Sequence, residues 1–287
     1  MLELIDWAAE PAAIVAAIAA ASEIHRTPCG SGSMVWRRWG NARGRLPLVL
    51  LHGGSGSWTH WIKVIPALAA TTEVWAADLP GLGDSAMPDT PHTPDVAGEI
   101  VAAGIRALIP ARQPVHLVAF SFGAHVGTFT AALLEERLAS YTISGCAALG
   151  IPHNRLEFVR ERSTMSKTQS DAVHRINLER LMFADPRRID ALAIHVHREN
   201  IRRARFKSRA FAGTGEIAET LPQVTAPLRA IWGGRDVLAT PSVEARYDIL
   251  RRSHPELITR TIADAGHWVA YEQPAAFVAA VLDVTGV

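Results

Sequence analysis

Residues Val115 to Ala124 read VHLVAFSFGA, and the segment that follows, AHVGTFTAALLEE from Ala124, is rich in small residues. An apolar, partly β-branched run of this length suits a strand covered on both faces. The small residues after it suit a helix that packs closely on that strand. Phe120-Ser121-Phe122-Gly123 joins the two, so the chain must turn sharply with Ser121 at the apex. A serine there has a plain use, capping the helix that follows. It also has a chemical one, because a hydroxyl at the tip of a tight turn is presented to whatever binds above the sheet.

Other segments have the same layout of apolar run followed by loop. Ser33 to Trp39 (SMVWRRW) is a strand between Gly30-Ser31-Gly32 and Gly40-Asn41. Leu46 to Leu51 (LPLVLL) is a buried strand that ends in His52-Gly53-Gly54-Ser55-Gly56-Ser57-Trp58. Its glycines free backbone N–H groups to turn toward a ligand. Glu73 to Ala77 leads into Asp78-Leu79-Pro80-Gly81-Leu82-Gly83-Asp84-Ser85, a tight turn in which Asp78 bonds loop N–H groups. Asp95 to Leu108 is helical and stopped by Pro110, and the helix after Ser121 runs to about Leu138. Tyr141 to Leu149 is a further strand. Leu228 to Trp232 is a strand ending in Gly233-Gly234-Arg235-Asp236, with a helix over Pro241 to Arg252. Glu256 to Ile262 is the last strand, ending in Ala263-Asp264-Ala265-Gly266-His267-Trp268, and Pro274 to Leu282 is a closing helix.

Strands alternating with helices predict an α/β fold: a mostly parallel twisted sheet covered by helices on both faces. Between Ile151 and Gly215 the composition shifts to 14 Lys plus Arg against 7 Asp plus Glu, with helical periodicity at Ile189, Leu192, Ala193 and Val196. This stretch reads as an inserted helical lid. The expected division is a core over 1–150 with an N-terminal helix over 8–24, the lid over 151–215, and the rest of the core over 216–287.

Bulk properties narrow the classes of function. A formal net charge of +1 on 287 residues, 20% of them charged, makes no case for nucleic acid. No apolar run reaches the ~18 residues of a membrane span. Pro11 to Ala21 resembles the apolar core of an export signal, but Glu3, Asp6 and Glu10 precede it where such a signal carries positive charge. Cys29 and Cys146 are too few for a disulfide framework and have no metal-ligand spacing; both read as small buried hydrophobes. A cytoplasmic setting, a small-molecule substrate, no metal and no cofactor are expected, with a homo-oligomer left open.

The segments HGGSGSW, DLPGLGDS, AFSFGA, WGGRD and DAGHW, in that order, resemble the α/β-hydrolase superfamily across nearly the whole chain. Its nucleophile elbow is usually G-x-S-x-G; here Ala119 replaces the first glycine. The resemblance implies a Ser-Asp-His order of catalytic residues, filled by Ser121, Asp236 and His267, each just past the end of a strand. It implies an oxyanion hole built from the N–H groups of Phe122 and Gly54. Asp264, only three residues from His267, reads as a turn residue.

Ser55, Trp58, Trp61, Phe120, Phe122 and Trp268 are candidates to line an apolar substrate pocket, with ordinary core packing as the alternative for the aromatics. Among Arg202, Arg203 and Arg205, one or two are candidates to bind a carboxylate, Arg202 first; otherwise they form a solvated helical face. His153, His174, His195 and His197 read as surface or packing residues. A serine nucleophile points to hydrolysis of a small ester or related acyl compound through an acyl-enzyme. Two alternatives stay open. One is hydrolysis of a carbon–carbon bond in a ring-cleavage-type diketone acid, although such enzymes commonly carry a Gly-Pro in the first loop and this chain does not. The other is a ligand-binding protein on a hydrolase scaffold.

Overall fold

The computed structural model describes residue 2, residues 5–152, residue 154 and residues 156–287. Eight strands form one sheet: β1 (Glu23–Cys29), β2 (Gly32–Trp39), β3 (Leu48–Leu51), β4 (Val74–Ala77), β5 (Val115–Phe120), β6 (Leu138–Ser144), β7 (Leu228–Gly233) and β8 (Ile258–Ile262). The helices are α1 (Pro11–Ala20), α2 (Ile65–Ala69), α3 (Pro94–Leu108), α4 (Phe122–Leu134), α5 (Lys167–Leu181), α6 (Ala191–Arg203), α7 (Glu216–Thr220), α8 (Val243–Arg251), α9 (Val269–Glu272) and α10 (Pro274–Thr285). The spatial order is β1-β2-β4-β3-β5-β6-β7-β8; β2 is antiparallel to both β1 and β4, and the remaining pairs are parallel.

Alternation along the central strands splits the core into two layers. Val49, Leu51, Leu117 and Ala119 face the layer shared with Val101 and Ile105 of α3 and Val126 of α4. Leu48, Leu50, Val118 and Phe120 face the opposite layer, with Ile14 and Ile18 of α1, Phe277 and Val281 of α10, and Leu178 of α5. All six residues of β5 are buried, which is why the strand reads as a continuous apolar run.

Two expectations need correction. The leading helix ends at Ala20, and Glu23–Cys29 is an edge strand. Burial alternates from His25 to Cys29, but the inner positions hold Thr27 and Cys29 while the apolar Ile24 is exposed, so the sequence shows no apolar alternation. Thr27 Oγ1 accepts a hydrogen bond from Trp36 Nε1 at 2.9 Å, fixing β1 on β2. The strand placed over Tyr141 to Leu149 runs instead over Leu138–Ser144, because Gly145 takes φ +51° and turns the chain out of the sheet. His153 lies outside the described residues.

Ala119 fits where a glycine is usual because the facing helix carries one. A Cβ on Gly127 of α4 would sit 3.0 Å from the Ala119 methyl and 3.1 Å from Tyr141 Oη. Gly127→Val overpacks this contact, so a loss of about 1–3 kcal/mol in unfolding free energy is expected by urea titration.

Several histidines are buried in this fold. His52 is fully buried at the end of β3; His116 lies on β5, with Nδ1 2.8 Å from Ser140 Oγ; His125 is buried on α4. Burial pushes each of them down to about 4. Between pH 6.5 and 4 the unfolded chain therefore takes up protons that the folded chain excludes. The stability they provide is complete above about 6.5 and is lost as pH falls. Asp78, pushed up to about 6 by burial, acts with the opposite sign, and one carboxyl does not cancel three imidazoles. The urea midpoint is expected to fall steadily from neutral pH toward 4.5, and His116→Gln is expected to make that decline shallower.

Candidate active site

Ser121 has φ +53°, a left-handed conformation rare for a residue with a side chain. Its N–H lies 3.0 Å from Ser144 O and 2.7 Å from Gly145 O, at the end of β6. Gly123 carries the helix start against β3: a Cβ there would collide with the carbonyl oxygens of Leu51 and His52. The turn is thus pinned from both neighbouring strands, with the hydroxyl at the carboxyl end of the sheet.

Two further loops meet it. His267 Nε2 is 2.9 Å from Ser121 Oγ, and His267 Nδ1 is 2.9 Å from Asp236 Oδ2. Both side chains of the His-Asp pair are 1% exposed. The other carboxylate oxygen of Asp236 accepts from the Leu238 N–H at 2.9 Å, which fixes the plane of the group. With Oδ2 accepting from Nδ1–H, the lone pair of the imidazole lies at Nε2, toward the serine.

Three residues that the sequence did not mark hold these loops. Glu272, 3% exposed, accepts from the N–H groups of Gly266 (2.7 Å), Ala184 (3.0 Å) and Asp185 (2.8 Å), tying the histidine loop to the segment after α5. Arg246, fully buried, donates to Leu238 O and Pro152 O at 2.7 Å and to Thr240 O at 2.9 Å, bracing the aspartate loop. His52 accepts the Leu79 N–H at Nε2 (2.9 Å) and so donates from Nδ1 to Gly53 O (2.8 Å). This neutral ring buckles the glycine loop to the turn after β4. In that turn Asp78 accepts from the N–H groups of Trp58 (2.8 Å) and Asp84 (2.9 Å). An aspartate before a Pro-Gly turn carries a sequence signal; a lone glutamate or arginine on a helix carries none.

The glycine loop reaches the serine. A Cβ on Gly53 would stand 3.1 Å from Ser121 Cβ, and one on Gly54 would stand 3.5 Å from Phe122 Cβ. Phe122 opens α4, so its N–H has no acceptor within the helix. His60, 3% exposed, accepts the Gly53 N–H at 3.2 Å and lies with its ring centroid 5.7 Å from that of Phe120. Burial keeps this imidazole well below its ordinary range.

Above the serine lies a cavity of about 390 Å³. Gly54, Ser55, Phe120, Ser121, Phe122 and His267 line it from the sheet side, and residues between Leu156 and Ala212 line it from the inserted segment. Trp58, Trp61 and Trp268 do not face it. Trp58 packs on Trp39 with centroids 5.4 Å apart, and Trp61 packs between Phe120 and Phe277. Trp268 donates from Nε1 to His60 O at 2.8 Å and lies against Tyr271. These rings follow the glycine loop and His267 in sequence but bury into the layer beneath them. Arg202 is also elsewhere, 69% exposed and paired with Glu199 at 2.7 Å. Arg203 pairs with Asp84 at 3.1 Å, and Arg205 donates to Ser85 O. The arginine that lines the cavity is Arg209, whose guanidinium lies 4.0 Å from the centroid of Phe158.

Among the described residues no group of three or more His, Cys, Asp or Glu is arranged to hold a metal ion, and no helix is long and apolar enough to cross a membrane.

The chain is 29% identical over 245 residues to the dihydrolipoyllysine-residue acetyltransferase component of the acetoin cleaving system of Pseudomonas putida. The match covers 80% of this chain, which spans 60% of that relative's length. It is 27% identical over 252 residues to the 2-hydroxy-6-oxo-6-(2'-aminophenyl)hexa-2,4-dienoic acid hydrolase of Metapseudomonas resinovorans, with 82% of each chain covered. In fold it is similar to naproxen esterase from Bacillus subtilis, with a TM-score of 0.74, 16% identity and 96% of each chain covered. Residues 48–281 match the model of the alpha/beta hydrolase family, and the chain belongs to that family.

Proposed function

We propose that this protein is a serine hydrolase that cleaves a small ester or related acyl compound. The observation that carries the reading is the unbroken hydrogen-bonded line Asp236–His267–Ser121, 2.9 Å at each step, against a cavity that Ser121 and His267 line. The serine hydroxyl is a weak nucleophile without an adjacent base. His267 takes its proton as Oγ attacks the carbonyl carbon, and Asp236 stabilises the imidazolium. The N–H groups of Phe122 and Gly54 receive the oxyanion, each worth about 3 kcal/mol of barrier. His267 then gives the proton to the leaving oxygen, leaving an acyl-serine. Water, deprotonated by the same imidazole, releases the acid and restores the serine. Residues 151–215 act as a lid that shapes the acyl pocket, with Ser55, Phe120 and Phe122 on the opposite wall. Buried, free Cys29 and Cys146 fit a reducing, cytoplasmic setting.

A second reading, cleavage of a carbon–carbon bond in a diketone acid, is favoured by Arg209. Burial beside the cavity depresses this guanidinium, and among the described residues no carboxylate pairs with it. It therefore offers a fork for a substrate acid. The same serine, histidine and aspartate would serve both reactions.

A fluorophosphonate probe is expected to label Ser121 and to fail on Ser121→Ala. Asp236→Asn is expected to lower kcat on p-nitrophenyl esters by about four orders of magnitude while labelling slows in parallel. Folded protein that neither reacts with the probe nor turns over any ester in a panel graded by acyl length would defeat the proposal. Turnover of a dienoate-type ring-cleavage product, lost in Arg209→Met, would favour the second reading.

A further inference from the structure

The inserted segment gives the cavity polar lining that the hydrolytic chemistry leaves unused. His197 of α6 lines the cavity. Its Nδ1 lies 2.9 Å from His174 Nδ1 on α5, with ring centroids 5.1 Å apart at 73°. His174, 2% exposed, places its Nε2 3.2 Å from Glu161 Oε2, and Glu161 also accepts from Ser170 Oγ. Glu161, His174 and His197 thus form a line from the protein surface to the cavity, with Ser170 bonded to its outer end.

Hydrogen-bond logic gives this line a direction. The Ser170 and His174 bonds hold Glu161 below the usual carboxylate range, so it is an anion and only accepts. His174 Nε2 must then carry its proton. Burial keeps His174 neutral, so its Nδ1 is a lone pair and can only accept. The donor in the Nδ1–Nδ1 contact is therefore His197. Burial pushes His197 down to about 3, so it too is neutral and its single proton is on Nδ1. The nitrogen left for the cavity is Nε2, a lone pair. The reverse polarity requires a protonated, buried His174. Glu161 faces the far nitrogen of His174, away from the Nδ1–Nδ1 contact, and among the described residues no group of three or more His, Cys, Asp or Glu is arranged to hold a metal ion. The two histidines on the H-V-H stretch separate as a helix demands: His195 has no part in this line, and His197 turns inward.

We infer that His197 is a specificity-determining residue of the cavity, presenting its Nε2 lone pair to a hydroxyl or N–H on the substrate, with His174 and Glu161 as positioning residues that hold its tautomer. The inference rests on Ser121 being the nucleophile of the same cavity. It deepens that reading by assigning the substrate a hydrogen-bond donor on the part that lies under α6. His60, Ser121 and His267 line the same cavity as His197, so a substrate held at the serine shares its space with this acceptor. A site with a buried acceptor discriminates against an analogue that lacks the donor, because the acceptor is then left bare.

The test uses p-nitrophenyl esters of short straight acyl chains, each paired with the analogue whose terminal methyl is replaced by a hydroxyl. For at least one chain length the hydroxyl ester is expected to be preferred by about tenfold in kcat/KM. The preference is expected to collapse toward unity in His197→Phe, with the methyl ester still turned over, and to return in part in His197→Gln, which restores an acceptor. No preference at any length, or the same preference in wild type and His197→Phe, would overturn the inference. Nitrogen-15 NMR of the unmodified protein near neutral pH provides a readout independent of turnover and of any variant's folding: Nδ1 protonated and Nε2 bare at His197 is expected, and the opposite tautomer overturns the inference. Absence of Ser121 labelling would count against the hydrolase reading alone, and the NMR result would still decide the role of His197.

Discussion

Everything at the site depends on one strained residue. Ser121 is held at φ +53°, a conformation that costs a side-chain-bearing residue about 1–3 kcal/mol and persists only when its surroundings over-determine it. Here they do. The Ser121 N–H is engaged by the carbonyls that end β6, and Gly123 is wedged against the carbonyls that end β3. β5 lies between these two strands in parallel register, so the three carboxyl ends coincide and the serine projects above them. The strain is repaid by sheet pairing along the whole of β5, and the elbow cannot form without its neighbours.

Burial of neutral imidazole is the second recurring device. His52 links the glycine loop to the turn after β4, and His60 holds the same loop from its other side through the Gly53 N–H. Each uses a ring nitrogen as an acceptor, which only the uncharged form provides. The low-dielectric surroundings that keep these rings uncharged also strengthen the hydrogen bonds they make. Water-poor packing around the loops therefore serves stability and geometry together. His267 differs from His52 and His60 in that its two nitrogens face the serine and the aspartate.

The inserted segment is tied to this machinery rather than merely draped over it. Glu272 gathers N–H groups from the histidine loop and from the chain after α5, and the Trp268 N–H reaches Met182 O at 2.9 Å. Arg246 joins the aspartate loop to the start of the segment through Leu238 and Pro152. The segment that walls the cavity and the loops bearing Asp236 and His267 are thus joined by buried hydrogen bonds.

The order of strands and helices, and the loops that bring a serine, an aspartate and a histidine together, were legible in the sequence. Their signals are local: buried strands read as apolar runs, and glycines mark where the chain turns. β1 was not legible because its inner face is held by Thr27 and Cys29 while Ile24 points to solvent, so no apolar alternation marks it. Orientation was not legible. Trp58, Trp61 and Trp268 adjoin the glycine and histidine loops in sequence, yet they pack against Trp39, Phe277 and Tyr271 in the layer below. Which arginine faces inward was decided by how α6 and the turn after it pack, so Arg209 faces the cavity while Arg202 stays in solvent. Glu272, Arg246 and the Glu161–His174–His197 line were invisible for the same reason. Their partners are distant in the chain, and a buried polar side chain acquires its role only when folding brings it an acceptor or a donor.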